Sequence, residues 1–196
     1  MTFTALFVCT GNICRSPMAE RLFRARTDPA SSWRTVSAGT GGLTGWPMDG
    51  PSALVLCELG GDGDEHRGQR LRPDLVTGAD LILTAEIDHR TMIMQADPRA
   101  VGRTFTLREF GRVGAGLAAL PAPPSADDLR LRVTEVAARR AALPAAGPAF
   151  DDIADPYGAP LDFVRTCGAQ TAAAVDALIG ALGLRRAGAL LPEAPA

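Results

Sequence analysis

Two side chains in this sequence, Cys9 and Arg15, have the types and the spacing to act together on a small anion. A cysteine thiolate is a strong nucleophile, and the planar guanidinium of arginine donates to two oxygens of a phosphate-like group at once. Ser16 and Pro17 follow directly, and proline is favoured in the first turn of a helix. The spacing therefore predicts a short loop at a helix N-terminus, in which main-chain N–H groups and Arg15 surround a phosphoryl group that the Cys9 thiolate attacks.

The residues before Cys9 decide how much weight this spacing carries. A cysteine and an arginine six positions apart are weak evidence alone, because they also fit an inert cysteine at a strand end and a surface arginine. Here residues 4–8 form an apolar run that is typical of a buried strand. A strand, a short loop and a helix start in this order are the context in which such a loop binds anions, so we favour that interpretation.

Composition and charge argue against several classes of protein. The chain has 196 residues, of which 46% are hydrophobic and 21% charged, with a net charge of −2. That length suits one domain with a sizeable core, and the charge lacks the basic excess of a nucleic-acid-binding protein. We find no apolar run long enough to cross a membrane and no signal peptide, so we expect a cytoplasmic protein with no nucleic-acid or membrane partner.

The four cysteines are Cys9, Cys14, Cys57 and Cys167. Their spacing matches no zinc site, so we expect no metal, and a nucleophilic thiolate favours a reducing compartment. Cys57 and Cys167 are predicted to be core residues on apolar helix faces. Met92 and Met94 are likewise predicted to be packing residues.

Strands alternate with helices along most of the chain. The predicted strands are residues 4–8, 33–36, 80–84 and 104–107, and the predicted helices are residues 17–26, 52–59, 87–96 and 160–184. This alternation indicates an α/β fold of three layers, in which helices cover both faces of a parallel sheet through right-handed crossovers. We predict a single domain over residues 1–184 and a C-terminal tail at 185–196.

Residues 111–150 differ in composition from the rest of the chain, being rich in Ala, Pro, Gly and Arg. Between two Pro-rich connectors, residues 127–143 predict a helix. We interpret the segment as a helical insertion on the same domain, placed directly before an acidic loop at residues 151–158, here called the acid loop. Its arginines are predicted to form a solvated face rather than a binding patch.

The loop is one of several short motifs that occur together in this sequence. The others are Ser37-Ala38-Gly39-Thr40, His66, residues 79–83 and Asp155-Pro156-Tyr157, and the loop motif itself extends over residues 8–20. Together, and in this order, they resemble the low-molecular-weight protein tyrosine phosphatase family over most of residues 4–110 and 151–182. The resemblance implies a flavodoxin-like sheet of four parallel strands, hydrolysis of phosphotyrosine, and neither a metal nor an organic cofactor.

The resemblance also assigns steps of a reaction to particular residues. Cys9 would attack phosphorus to form a cysteinyl-phosphate intermediate, while Arg15 and the loop N–H groups hold the phosphate oxygens. Asp155 would give a proton to the leaving group and later take one from the hydrolytic water. Asp151 and Asp152 are rivals for that role. The implied phosphate-binding residues are Thr10, Gly11, Asn12, Ile13, Cys14, Arg15 and Ser16.

Four residues resemble the family's hydrogen-bonded network that braces the loop, namely Asn12, Ser16, Ser37 and His66. Ser16 would also donate to the Cys9 thiolate, although a plain N-cap is an alternative role. Asparagine tolerates the left-handed backbone that a tight loop needs. His66 taken alone also fits a satisfied or surface histidine, whereas the second histidine, His89, is predicted to be solvated.

Three further residues are candidates for the site, and two of them, Cys14 and Trp46, have two interpretations each. Cys14 resembles the family's second loop cysteine, which can trap the oxidised nucleophile in a reversible disulfide, but it also fits a small buried side chain. Tyr157 is expected to wall the cleft. Trp46 is expected either to line the same wall or to pack within its own loop.

The sequence is also compatible with two other functions. The first is arsenate reduction with an external thiol donor, because arsenate has the shape of phosphate. The second is a phosphate- or phosphopeptide-binding module without turnover, which would need neither the nucleophile nor the acid. The expected partner is a phosphotyrosine protein or a small aryl phosphate, and a tyrosine kinase is a candidate partner.

Overall fold

The first strand, β1 (Phe3–Cys9), is fully buried and lies inside a sheet of four parallel strands. It pairs on one side with β2 (Trp33–Gly39) and on the other with β3 (Leu81–Thr84), which in turn pairs with β4 (Thr104–Thr106). The order across the sheet is therefore β2-β1-β3-β4. The prediction of a three-layer α/β fold with a parallel sheet is confirmed.

The computed structural model describes residues 2–27, 33–118, 120 and 124–184. Its helices are α1 (Arg15–Arg26), α2 (Gly50–Glu58), α3 (Pro73–Thr77), α4 (Ile87–Ala96), a 3₁₀ helix (Pro98–Arg103), α5 (Leu107–Gly114), α6 (Ala126–Ala141), α7 (Pro148–Asp151) and α8 (Leu161–Ala181). Within these ranges we find no helix with both the length and the apolar character of a membrane span. The tail predicted at 185–196 lies outside the described residues.

Alternate side chains of β1 point to opposite faces of the sheet and build two separate cores. Phe3, Ala5 and Phe7 belong to the larger core, which α1, α2, α5, α6 and α8 cover. Leu6 and Val8 belong to the smaller core, which α3, α4 and the 3₁₀ helix cover. Because both faces are buried, the strand shows the continuous apolar run seen in the sequence.

All four strands run in the same direction, so they end at one edge of the sheet. Their last residues are Cys9, Gly39, Thr84 and Thr106. In open parallel sheets, loops that follow the carboxyl ends of the strands commonly form the binding site. This edge therefore brings together segments that are far apart in the sequence.

The sequence did not indicate α3, and it placed the start of α1 two residues late. Helix α3 has five residues, which is too short for an apolar period, and it follows the extended residue Arg72 with a proline at its first position. Helix α1 already begins at Arg15, before Pro17. The guanidinium group of Arg15 is therefore carried by the first turn of a helix.

Helix α6 forms between the Pro-rich connectors, as expected, but its arginines are not simply a solvated face. Arg132 is buried and its Nη1 donates to the carbonyl of Ala181, 2.9 Å away, at the end of α8. Arg130 donates from Nε to Asp80 Oδ1 at 2.8 Å. The prediction of a solvated face is wrong at these positions, because long arginine side chains reach carbonyls and carboxylates of the neighbouring elements.

Arg140 attaches the other end of α6 to the sheet. Its guanidinium carbon lies 4.2 Å above the centre of the Phe105 ring, and its two terminal nitrogens donate to the carbonyls of Thr104 and Val101, each at 2.7 Å. The stacking adds a cation–π attraction to these hydrogen bonds. Helix α6 is thus fixed to the domain at several points along its length.

Substituting Gly111 tests the contact between α5 and α8. An added Cβ at Gly111 would lie 2.6 Å from the Cβ of Ala177, whereas one at Gly102 would meet no atom within 4 Å. We expect Gly111→Ala to lower the free energy of unfolding by about 1–3 kcal/mol, because the helices must separate. The matched control, Gly102→Ala, should change it by less than about 0.5 kcal/mol. Urea unfolding measures both, and equal stabilities of the two variants would contradict the close contact.

Candidate active site

Residues 9–16, from the last residue of β1 to the first turn of α1, form the loop, and one residue makes it turn tightly. Asn12 has a φ of 56° and is the one non-glycine residue of the described ranges with a positive φ. Asparagine adopts this left-handed conformation more readily than most residues, as the sequence suggested. The turn directs the main-chain N–H of Asn12 back at the sulfur of Cys9, with a distance of 3.3 Å.

The thiol of Cys9 is buried and held by two polar groups. Besides the N–H of Asn12, its Sγ lies 3.0 Å from Ser16 Oγ. Asn12 Nδ2 donates to Ser16 Oγ at 2.9 Å, so this oxygen is already an acceptor and its own proton is free for the sulfur. The carbonyl of Ala38, at 3.4 Å, is a longer alternative for that proton. The geometry suits a sulfur that carries negative charge.

A second segment braces the loop from outside. Asn12 Oδ1 accepts from the main-chain N–H of Gln69 at 2.8 Å, and the carbonyl of Asn12 lies 2.7 Å from His66 Nε2. A carbonyl can only accept, so the proton of His66 sits on Nε2. Burial lowers the pKa of His66, which keeps the ring neutral near neutral pH. Ser37 joins this network through its carbonyl, which accepts from Gln69 Nε2 at 2.9 Å.

The end of β2 lies directly against the loop. An added Cβ at Gly39 would collide with the carbonyl of Thr10 and lie 2.9 Å from the main-chain nitrogen of Asn12. The main-chain nitrogens of Thr40 and Gly41 donate to the carbonyls of Cys9 and Thr10, each at 2.9 Å. Gly39 is therefore required by this close approach of two backbone segments.

Arg15 is the buried cation of the site, with only 4% of its surface exposed. Its Nη1 lies 3.1 Å from Glu86 Oε1 and donates to the carbonyl of Ile153 at 3.0 Å, and its Nη2 lies 2.9 Å from Asp155 Oδ2. Its Nε is buried and has no hydrogen-bond partner among the described residues. An unpaired N–H on a buried guanidinium is what an incoming oxyanion needs.

The three acidic residues of the acid loop occupy different positions. Asp151 is buried, and both of its oxygens lie 3.0 Å from Arg112 Nη2. Asp152 Oδ1 accepts from the main-chain N–H of Ile87 at 2.8 Å, at the start of α4. The side chain of Asp155 is half exposed and faces Arg15. Of the three, Asp155 alone lines the cavity above the loop.

That cavity has a volume of about 200 Å³ and is open to solvent above the Cys9 sulfur. Tyr157 forms part of its rim and remains more than half exposed, as does Trp46, but Trp46 does not line the cavity. One of the two expectations for Trp46 was that it lines this wall, and Leu43 lines it instead. The lining residues are Cys9, Thr10, Gly11, Ile13, Cys14, Arg15, Gly41, Leu43, Asp155 and Tyr157.

His89 was predicted to be solvated, and this prediction is wrong. It is buried on α4, and its Nε2 lies 2.9 Å from Thr10 Oγ1 in the loop. Burial, aided by the nearby charge of Arg15, lowers its pKa to about 4, so the ring is neutral near neutral pH. Glu86 was also missed. One sequence feature could have identified both as site residues: they follow β3 directly, at the edge where the carboxyl ends of parallel strands meet.

A comparison with protein families agrees with this geometry. The model of the family described as low molecular weight phosphotyrosine protein phosphatase matches residues 4–142, which is more than half of the chain. The chain belongs to this family.

Individual relatives support the assignment. A probable low molecular weight protein-tyrosine-phosphatase of Ralstonia nicotianae is 42% identical over 110 residues, which cover 56% of this phosphatase and 74% of the relative. A solved low molecular weight protein tyrosine phosphatase from T. tengcongensis is 29% identical, with a TM-score of 0.65 over 91% of this chain and 99% of the other. A solved arginine phosphatase from Geobacillus stearothermophilus is 28% identical, with a TM-score of 0.67 over 92% of both chains.

The remaining cysteines of the phosphatase differ in exposure. Cys14 is buried, and this burial raises the pKa of its thiol to about 12. Cys167 is buried, as predicted, but Cys57 is exposed on α2, so its assignment to the core is wrong, as is that of Met92, which is 52% exposed. Apolar side chains on the outer face of a helix are common and cannot be told from core residues by period alone. The described residues contain no group of three or more His, Cys, Asp or Glu side chains placed to hold a metal.

Two substitutions at Asn12 separate backbone strain from lost hydrogen bonds in the phosphatase. Asn12→Gly keeps the left-handed backbone but loses the bonds to Ser16 and Gln69, and we expect it to cost about 1–3 kcal/mol of unfolding free energy. Asn12→Ala should cost about 1 kcal/mol more, because a Cβ disfavours positive φ. Urea unfolding compares them, and an alanine variant as stable as the glycine variant would rule out a conformational contribution.

Proposed function

We propose that this phosphatase hydrolyses phosphotyrosine in proteins, or a small aryl phosphate, by passing the phosphoryl group through Cys9. The observation that carries the proposal is the arrangement at the cavity floor. A buried thiol lies under the opening, with Arg15 on one side and the half-exposed carboxyl of Asp155 facing that guanidinium. Nucleophile, anion binder and proton donor therefore share one small space.

Binding begins with an exchange of partners on Arg15. Asp155 lies against Nη2, whereas Nε has no hydrogen-bond partner among the described residues. A phosphate dianion brings more charge and more acceptors than one carboxylate, so it takes both Nε and Nη2 in a bidentate contact. Glu86 and the carbonyl of Ile153 stay on Nη1 and hold the guanidinium in place. The N–H groups of residues 10–15 surround the other oxygens.

The first chemical step transfers the phosphoryl group to sulfur. The Cys9 thiolate forms a bond to phosphorus as the bond from phosphorus to the phenolic oxygen breaks. Asp155, released from Arg15 and next to a bound dianion, carries a proton and gives it to the departing oxygen. Charge that builds on the phosphoryl oxygens is stabilised by Arg15 and the loop N–H groups.

The second step frees the enzyme. A water attacks phosphorus while Asp155, now a carboxylate, takes its proton, and the bond from phosphorus to sulfur breaks. The leaving thiolate is met by the hydroxyl of Ser16 at 3.0 Å and the N–H of Asn12 at 3.3 Å. Inorganic phosphate then departs. Ser16 thus lowers the cost of expelling the sulfur anion, in addition to its place in the bracing network.

The walls of the cavity favour an aromatic substrate. Ile13, Leu43 and Tyr157 line it, and an apolar wall of this kind suits the phenyl group of phosphotyrosine. One solved relative is an arginine phosphatase, so phosphoarginine is the competing substrate. Its guanidinium is cationic and carries N–H donors that two aliphatic side chains cannot pair, so it gains less from this wall.

Arsenate reduction on the same site is less well supported. It needs a second thiol to attack the arsenylated Cys9, and the chain's own cysteines are poorly suited, so it would depend on an external thiol donor. The nearest thiol in the loop, Cys14, is buried with its pKa raised to about 12, so it is protonated near neutral pH and a poor nucleophile. Cys57 is exposed on α2 and Cys167 is buried. A binding module without turnover has no need of Cys9 or Asp155.

We also propose that Cys14 protects Cys9 from irreversible oxidation and that the protein is cytoplasmic. If peroxide converts Cys9 to its sulfenic acid, Cys14 would attack that sulfur as its own proton and the hydroxyl leave as water. The raised pKa of Cys14 makes this step slow, and cellular thiols would then reduce the disulfide again. All four cysteines are free thiols, which suits a reducing compartment. A tyrosine kinase whose product is the substrate is the matching partner.

A substrate panel tests the proposed function. It consists of an aryl phosphate, phosphopeptides carrying phosphotyrosine, phosphoserine or phosphoarginine, and arsenate with a thiol donor. We expect kcat/KM to be highest for the aryl phosphate and the phosphotyrosine peptide. Cys9→Ser should reduce turnover by ~10³-fold or more while inorganic phosphate still binds. Arsenate reduction without release of phosphate from any ester, or turnover by Cys9→Ser, would contradict the proposal.

A leaving-group series tests the role of Asp155. Asp155→Ala should slow hydrolysis of phenyl phosphate by roughly 10²–10³-fold but that of 4-nitrophenyl phosphate much less, because the second leaving group needs no proton. Asp152→Ala is the matched control, since its carboxyl is bound to the start of α4. If both substrates slow equally in Asp155→Ala and unequally in Asp152→Ala, the acid is Asp152.

A further inference from the structure

We propose that His89 is a positioning residue of this phosphatase, which orients the hydroxyl of Thr10 and, together with Glu86, holds Arg15 in the plane that receives the phosphoryl group. The proposal rests on the proposed function, because it concerns the same site. It adds a residue that does not touch the substrate and that lies almost 80 positions from the loop in the sequence.

The side chains of Arg15, Glu86, His89 and Thr10 form a closed ring of contacts, and the guanidinium is part of that ring. Arg15 Nη1 lies 3.1 Å from Glu86 Oε1, and Glu86 Oε2 lies 3.4 Å from His89 Nδ1. His89 Nε2 lies 2.9 Å from Thr10 Oγ1, which in turn lies 3.4 Å from Arg15 Nη2. Arg15 and His89 are both 4% exposed, so water cannot easily replace these contacts.

The chemistry of the partners fixes the protons in this ring. Glu86 is a carboxylate and can only accept, which places the proton of the His89 ring on Nδ1. At 3.4 Å this is an electrostatic contact, because Nδ1 makes no full hydrogen bond among the described residues. Nε2 is then an acceptor and takes the proton of Thr10 Oγ1. The oxygen of Thr10 is left to accept from Arg15 Nη2.

The role requires a neutral ring, and the surroundings provide one. Burial is the largest influence and the charge of Arg15 the next, and together they lower the pKa of His89 to about 4 despite opposing carboxylates. The charged groups that face the ring from its own helix, the loop and the acid loop are Glu86, Asp88, Arg15, Asp152 and Asp155. Above that pH Nε2 stays an acceptor. Below it, Nε2 would gain a proton and Thr10 would have to reverse its hydrogen bond.

The ring matters most when the substrate is bound. Asp155 leaves Nη2 to act as the acid, and the guanidinium then loses the carboxylate that lay 2.9 Å away. Thr10 Oγ1 and Glu86 remain on either side of it. They keep Nε and Nη2 directed at the phosphoryl oxygens, so the loss of His89 should weaken anion binding and slow the transfer rather than unfold the protein.

Nuclear magnetic resonance of the histidine rings gives the first test and uses the unmodified phosphatase. The chain has only two histidines, and their partners demand opposite tautomers. His66 faces a carbonyl with Nε2 and should carry its proton there, whereas His89 should carry it on Nδ1. Spectra that correlate ring ¹⁵N and ¹H, assigned with His66→Gln, should show both forms and no titration of His89 above about pH 5. A His89 ring protonated on Nε2, or titrating near its ordinary pKa, overturns the proposal.

A double-mutant cycle gives the second test. Thr10→Val removes the hydroxyl at constant shape, and His89→Leu removes the ring nitrogens. Each should lower kcat/KM and weaken inhibition by inorganic phosphate about tenfold, and the double variant should be no worse than either single variant, because both changes break one chain of contacts. Thr10→Ser, which keeps the hydroxyl, should recover most of the loss seen in Thr10→Val.

Additive losses, near a hundredfold in the double variant, would overturn the proposal, as would a Thr10→Ser variant as impaired as Thr10→Val. If His89→Leu does not fold, the comparison of Thr10→Val with Thr10→Ser and the ring spectra still decide it. Failure of the proposed function is a separate result, seen as turnover that does not depend on Cys9. Hydrolysis through Cys9 with additive variants would remove only the role of His89.

Discussion

A guanidinium group buried beneath an open cavity is the feature on which the rest of this structure depends. Burying a positive charge is costly unless carboxylates or carbonyls surround it, and Arg15 has Glu86, Asp155 and the carbonyl of Ile153 around its terminal nitrogens. Yet the compensation is incomplete, because Nε has no hydrogen-bond partner among the described residues. The partners of the terminal nitrogens therefore offset most of the cost of burial, while Nε favours the entry of an oxyanion.

The loop that carries the nucleophile is held by a small number of specific contacts. Its tight turn exists because Asn12 takes a left-handed backbone, and the side chain of Asn12 then connects Ser16 inside the loop with Gln69 outside it. Gly39 lets β2 approach so closely that two main chains bond directly. Rigid placement of these dipoles before the substrate arrives is what makes them effective in the transition state.

The segment rich in alanine and arginine has a different character from the site it precedes. Its helix α6 is attached by buried or partly buried arginines that reach Ala181, Asp80 and Thr104. Composition alone suggested a solvated surface, because arginine is mostly exposed in proteins. The contacts instead make α6 part of the packed domain, and α7 at its far end leads into the acid loop through the buried Asp151.

The sequence by itself determined the local features of the protein. The apolar run before Cys9, the spacing to Arg15, the proline after Ser16 and the sole asparagine in the loop predicted a strand, an anion-binding turn and a helix, because each is a constraint among near neighbours. It also indicated the layered parallel sheet, since alternating strands and helices allow few arrangements. Asp155 was separated from Asp151 and Asp152 by resemblance alone, and only the structure shows that the other two carboxyls are bound elsewhere.

Only the tertiary structure decided the partners of the site. Glu86, His89 and Gln69 lie in segments far from the loop in the chain. The position of Glu86 and His89 directly after a predicted strand hints at the site, but no local period or motif identifies their partners. These residues meet the loop because the order β2-β1-β3-β4 brings the carboxyl ends of four strands to one edge. There the first turn of α4 and the segment before α3 are placed against residues 9–16. Contacts between distant segments depend on strand order and register, which a linear reading of side chains does not contain.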